Sequence, residues 1–317
     1  MVRLIISCKS QTAIANILEM VKDISVNTEI YVRLSDNNII NAIGSDGELR
    51  TYQGTTSKTI NQALSRGGII VLAPHTIYSI DESLLFQSNT VLEGNGATIK
   101  LAQGLPMWGY NGCPIKDEKA MLMILGNSAS NVTIRNLIVD GSQSDYYPKV
   151  KLGTSCYNMA TLIGCNGLII ENCTFKNGCN DAVLLNDCKN INIDNIIVNK
   201  CGHDGIYSYY VDGISVKNST FLNRTNSSCR FYNVENGEFL NNECSTSGGG
   251  HTGLQLQGDL KNIYVAENYI KGLPYPGILS INAKMKNVVI ENNKIEKCKS
   301  PGISVSGAVL RNNDVSY

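Results

Sequence analysis

Residues 166–188 read NGLIIENCTFKNGCNDAVLLNDC, and 189–211 and 212–234 follow as KNINIDNIIVNKCGHDGIYSYYV and DGISVKNSTFLNRTNSSCRFYNV. The three units are of equal length and align without a gap. The pattern continues as ENGEFLNNECSTSGGGHTGLQLQGDL from Glu235, KNIYVAENYIKGLPYPGILSINA from Lys261 and KNVVIENNKIEKCKSPGISVSG from Lys286. Upstream, SNVTIRNLIVDG from Ser130 and SNTVLEGNGATIKL from Ser88 are related pieces. Within each unit, short runs such as Leu168-Ile-Ile170 and Ile191-Asn-Ile193 are β-branched and alternate with a period of two. Such runs read as strands with one buried face. The Gly and Asn between them break any helical reading. One strand this short cannot bury its own face, whereas stacked units pair strand to strand around a continuous apolar column. The expected fold is therefore all-β: a right-handed parallel β-helix, a single-stranded solenoid, over residues 55–317.

Residues 1–54 lack the repeat and are expected to form a small N-terminal α/β extension. Ile14, Ile17, Leu18 and Val21 lie at helical spacing there, and Glu29–Leu34 is strand-like. Thr59–Ser65, followed by Gly67 and Gly68, predicts a short amphipathic helix covering the open end of the solenoid, where unpaired strand edges would otherwise invite association. Gln103–Lys119 and Ser142–Tyr157 depart from the repeat and are expected to be long aromatic-bearing loops beside a groove.

The 27 basic and 27 acidic side chains balance, which gives no general attraction to nucleic acid or an anionic membrane. No apolar run is long enough to span a bilayer. The N-terminus, with Lys9 after a few apolar residues, shows no secretory signal. Eleven cysteines exclude a fully paired disulfide framework; Cys165 and Cys188, one repeat apart, are expected to stack as small buried thiols. Asn172, Asn195, Asn218, Asn241, Asn268 and Asn292 recur at the same point of the unit and are expected to form an inward amide ladder. Asn172 and Asn218 also match the glycosylation sequon, a reading that burial in the ladder would disfavour.

The same register places candidate chemistry on one face. Asp181 and Asp204 are one repeat apart, preceded by Asn180 and His203, with His251 further along the histidine column. Tyr207, Arg230 and Gln255 share a second column, and Tyr209, Tyr232 and Gln257 a third; alternation directs both outward. Adjacent coils would hold the two carboxyls roughly 5 Å apart, near the separation of a retaining glycosidase pair. Proximity would raise one carboxyl pKa. Asp181, Asp204, His203 and His251 are thus the catalytic candidates. Arg230, Tyr207, Tyr209, Arg224, Tyr232, Gln255 and Gln257 are the substrate-binding ones: Arg230 to hold a uronate or sulfate, the tyrosines to stack on sugar rings. The bland alternative is that an Asp-Gly-Ile turn simply suits a β-helix corner. No cysteine or histidine pair has zinc spacing, and neither a metal nor a cofactor is expected.

Gly202-His-Asp-Gly-Ile-Tyr207, Arg224-Thr-Asn-Ser-Ser-Cys-Arg230, Gly253-Leu-Gln-Leu-Gln257 and Pro276-Gly-Ile278 resemble the β-helix of the disaggregatase family of methanogenic archaea. Ile30-Tyr-Val32, Ile60-Asn-Gln-Ala-Leu64 and Ser88-Asn-Thr-Val-Leu-Glu-Gly94 are similar to its start, so the resemblance spans about residues 55–305. It implies a polysaccharide depolymerase acting on a uronate- and hexosamine-containing matrix at the cell surface, outside the cell, or on a virion. Glycosidic hydrolysis is the expected reaction, a lyase or uronate epimerase the alternative, and a non-catalytic adhesin or viral tail spike the third. The expected partner is an acidic polysaccharide, without nucleic acid or membrane insertion, and with homotrimers if the chain is virus-borne.

Overall fold

The computed structural model describes residues 2–8, 28–34, 38–105, 123–150, 152–153, 158–223, 225–246 and 248–317. The helix expected near Ile14–Val21, most of the Gln103–Lys119 loop and Arg224 lie outside these residues. Val2–Cys8 and Thr28–Leu34 pair in parallel as a separate two-stranded sheet.

From Gly68 onward the chain is a right-handed parallel β-helix of about ten turns. Each coil carries three strands, typified by Val183–Asn186, Lys189–Asp194 and Ile197–Asn199. The first two types merge into one 17-stranded sheet, and the third builds a 10-stranded sheet. Pairing is in register, so like positions stack. Val183, Ile206, Cys229, Leu254 and Ile278 form one buried column, and Phe175, Val198, Phe221, Cys244, Ile270 and Ile295 another. Burying each apolar side chain contributes about 1.5–3 kcal/mol, which the solitary strands could not collect.

Ser57–Leu64 is the expected capping helix. Thr56 starts it, its hydroxyl oxygen accepting from the Thr59 amide, and Ile60, Ala63 and Leu64 are fully buried over the first coil. The hairpin Ile39–Ile43 and Leu49–Gln53 adds a second cover, because Ile39–Ile43 pairs antiparallel with Gly68–Val71. Cys165, Cys173, Cys179, Cys188, Cys201, Cys229, Cys244 and Cys298 are buried free thiols, and burial pushes Cys173 and Cys244 up to about 12.

Asn268 stands in the inward amide ladder as expected, and the other five positions need correcting by one residue. Asn172, Asn195, Asn218, Asn241 and Asn292 are exposed, with φ between 50° and 55°, and turn the left-handed corner between the two sheets. Asn tolerates that conformation because its short polar side chain bonds locally. Here the amides bond from coil to coil on the outside, as from Asn195 Nδ2 to Asn172 Oδ1 at 2.7 Å. The inward ladder is the buried Asn242, Asn268 and Asn293 with the half-buried Asn313, linked at 3.1, 2.8 and 2.9 Å. Exposure removes the argument from burial against glycans at Asn172 and Asn218.

Candidate functional site

The site lies at the corner entering the strands Val183–Asn186, Ile206–Lys217, Cys229–Leu240 and Leu254–Ala266. At this corner one column serves the backbone. Asn158 Oδ1 accepts the Asp181 amide at 3.2 Å, Asp181 Oδ1 the Asp204 amide at 2.9 Å, and Asp204 Oδ1 the Ser227 amide at 2.9 Å. Each side chain thus caps the next coil, satisfying amides that the turn takes out of the sheet. The turn reading of both aspartates is therefore correct as far as one oxygen of each goes.

The remaining capacity builds a charged cluster. Nδ1 of His203 is 2.7 Å from Asp181 Oδ1 and 3.5 Å from Asp204 Oδ2. Arg230 Nη2 approaches Asp204 Oδ2 to 3.0 Å, and the guanidinium lies 4.8 Å over the Tyr207 ring. Neither neighbour aligns a hydrogen bond on Asp204 Oδ2, so that contact is mainly of charge with charge. The expected open placement of the two carboxylates is not what the coils produce. Capping draws both beneath the surface: the Asp204 side chain is 0% exposed and that of Asp181 5%, while His203 above them is 27% exposed. His203 is the member that solvent and a ligand can reach.

Burial pulls the His203 imidazole down, but its bond to Asp181 and the charges of Asp181 and Asp204 outweigh this and hold it above the ordinary value. Burial pushes the Asp204 carboxyl up to about 6, against the lowering by Arg230 and His203; the Asp181 charge adds a smaller push than the proximity argument gave it. His251 shifts the other way, lowered by burial and then by Arg230. The shift of Asp204 has a consequence for stability. In the folded state it holds a proton that the unfolded chain has released above about pH 4. The contribution of Asp204 to the unfolding free energy should therefore fall as pH rises from about 4 to about 6, and Asp204→Asn should remove that contribution in urea titrations.

Asp181, His203 and Asp204 each offer one potential ligand atom, and these atoms lie within 4.8 Å of one another. The positive charge beside Asp204 is already supplied by Arg230, and Asp181 Oδ1 already accepts two hydrogen bonds, so the set is poorly disposed to a metal ion.

His251 stacks on Tyr275, ring centroids 3.9 Å apart, and its Nδ1 is buried without a hydrogen bond among the described residues. Tyr207, Tyr209 and Tyr232 are partly exposed, with Tyr209 6.3 Å from Tyr207 and 4.9 Å from Tyr232. Gln257 is half-buried, whereas Gln255, expected on the outward face, is buried between Ser227 and Gln257. Asn158, Ser227 and Tyr275 complete the arrangement. Asn158 is reachable by stepping back one repeat from Asp181, and Tyr275 stands in the histidine column.

Residues 159–315 match the family model of the right-handed β-helix region. No curated protein matches the chain. Among solved structures, the A-module of the mannuronan C-5 epimerase AlgE6 of Azotobacter vinelandii is 17% identical, with TM-score 0.62, over 82% of this chain and 72% of that one. The endo-xylogalacturonan hydrolase of Aspergillus tubingensis is 14% identical, with TM-score 0.56, over 82% and 88%. ORF18 of Geobacillus virus E2 is 10% identical, with TM-score 0.52, over 99% and 75%. At these identities the likeness is one of fold, and the fold is the right-handed parallel β-helix.

Proposed function

We propose that the chain is an enzyme that acts on an acidic extracellular polysaccharide, with His203 as its proton-transfer group. The observation that carries this reading is the His203–Asp181 contact at 2.7 Å, at the foot of a tyrosine-lined face. A carboxylate on one imidazole nitrogen fixes the tautomer and leaves the other free to exchange a proton with a bound sugar. Support also comes from the similarity in fold to an epimerase and a glycan hydrolase, and from the resemblance of Gly202–Tyr207 to the disaggregatase family.

Burial of Asp204 and Asp181 speaks against their flanking a glycosidic bond directly, so a proton abstraction next to a uronate carboxylate, as in a lyase or epimerase, is the better fit. One observation keeps hydrolysis in view: the His203 imidazolium, held charged by Asp181, can donate a proton to a leaving oxygen. Incubation with uronate-containing matrix polysaccharide separates the readings. Elimination creates an unsaturated, ultraviolet-absorbing end, hydrolysis only reducing ends, and epimerisation changes sugar configuration without shortening the chain. Binding with none of these changes would identify an adhesin or tail-spike role instead and end the enzymatic proposal.

A further inference from the structure

The strand Ile206–Lys217 bends at Tyr210, whose φ of 54° is left-handed. On neighbouring coils the same corner is turned by Ser128, Gly164, Asp187, Asn233, Gly258 and Asn282. Glycine and short polar residues suit that conformation, while a bulky side chain is crowded there, at a cost of about 1–2 kcal/mol. The contact with Tyr209, 4.4 Å between centroids, offsets part of this, yet Tyr210 remains 52% exposed. A strained aromatic held in solvent points to use of its ring.

Tyr210 ends a run of rings that starts at the site. Centroids step from His203 to Tyr207 by 6.4 Å, to Tyr209 by 6.3 Å and to Tyr210 by 4.4 Å. Along the solenoid axis the Tyr207 column reads Leu184, Tyr207, Arg230, Gln255 and Leu279, with no second ring. Past Tyr210 the surface opens into a cleft of about 470 Å³ that includes Lys261, Lys284 and Lys286 with Glu235 and Asp259. Lys261 pairs with Glu235, and Lys284 lies 3.7 Å from Asp259. Lys286 is exposed and has no ion-pair partner among the described residues, which leaves the cleft with one positive charge in excess.

We propose that Tyr210 and Lys286 mark the two ends of a distal binding cleft for an acidic glycan, which follows the strand direction from His203 to this corner and then crosses the three coils to Lys286. The proposal rests on the glycan-acting reading of the His203 site. One sugar's C–H face stacks on the Tyr210 ring, and the carboxylate or sulfate of a unit further along the chain pairs with Lys286.

The test uses the full chain with galacturonate and mannuronate oligomers, as disaccharides and octasaccharides. Tyr210→Asn should unfold at the same or a higher temperature, since Asn suits the corner. It should nevertheless bind octasaccharides about tenfold more weakly, with disaccharides unaffected. Lys286→Ala should weaken octasaccharide binding and flatten its salt dependence. Octasaccharide affinity unchanged in both variants, or no oligomer bound by the unmodified chain, overturns the subsite. Cleavage that persists without dependence on Tyr210 sinks the subsite and spares the His203 reading. Tyr210-dependent binding with neither cleavage nor epimerisation does the reverse.

Discussion

Replacing His203 with Gln is expected to lower polysaccharide turnover by about 10²–10⁴-fold while leaving the fold and glycan binding in place. Gln can still reach Asp181 with an amide, so the corner stays hydrogen-bonded, but it cannot exchange a proton at neutral pH. The unmodified enzyme should also report the role of His203 through pH. Asp181 and Asp204 hold the imidazole charged beyond its ordinary range. If the imidazolium donates the proton, the rate falls as pH rises through that raised value; if the neutral ring abstracts one, the rate climbs over the same interval. The stability linked to this group behaves in one way only: present in full below the ordinary imidazole value, and lost as pH rises through the raised one. Turnover undiminished in His203→Gln would remove the group from the reaction.

Gly202→Ala should have the largest effect on the fold, and through the fold on activity. A Cβ at position 202 would stand 2.0 Å from the Cys179 carbonyl oxygen and 2.4 Å from its carbon, both backbone atoms of the preceding coil. Neither can yield without opening the stack, so the expected loss is about 3 kcal/mol or more, read as a lower urea midpoint. Opening this corner separates His203 from Asp181, so residual folded protein should be nearly inactive. Gly205 is confined in the same way, with a Cβ falling 2.3 Å from the Ser228 oxygen. The Gly-His-Asp-Gly segment is thus two spacers around two candidate site side chains. A midpoint equal to that of the unmodified chain would mean the coils are less tightly stacked than described.

The stack was legible because every coil repeats the same requirements one unit further on, so chance similarity is soon exhausted. The amide ladder was harder to read. Asn241-Asn242 and Asn292-Asn293 each present two neighbouring amides, and spacing cannot tell which one turns inward. The distinction is conformational: one column needs a left-handed corner, the next needs a buried amide. The columns also brought Asp181, His203, Asp204 and Arg230 together, since register fixes proximity along the axis. Depth was not legible. A side chain at a corner can point out or cap the next coil, and Asp181 and Asp204 cap. Tyr210 is easily missed beside Tyr209, although Asp187, Asn233 and Gly258 at its position already mark a corner unsuited to it.

The chain has three histidines, so histidine-labelled NMR can follow each ring through a pH titration. His203 should titrate above the ordinary imidazole value of about 6.5, and return toward it in Asp181→Asn, while His251 titrates below it. A His203 ring that titrates at or under that value in the folded, unmodified chain would contradict the carboxylate-held ring on which the proposed chemistry depends.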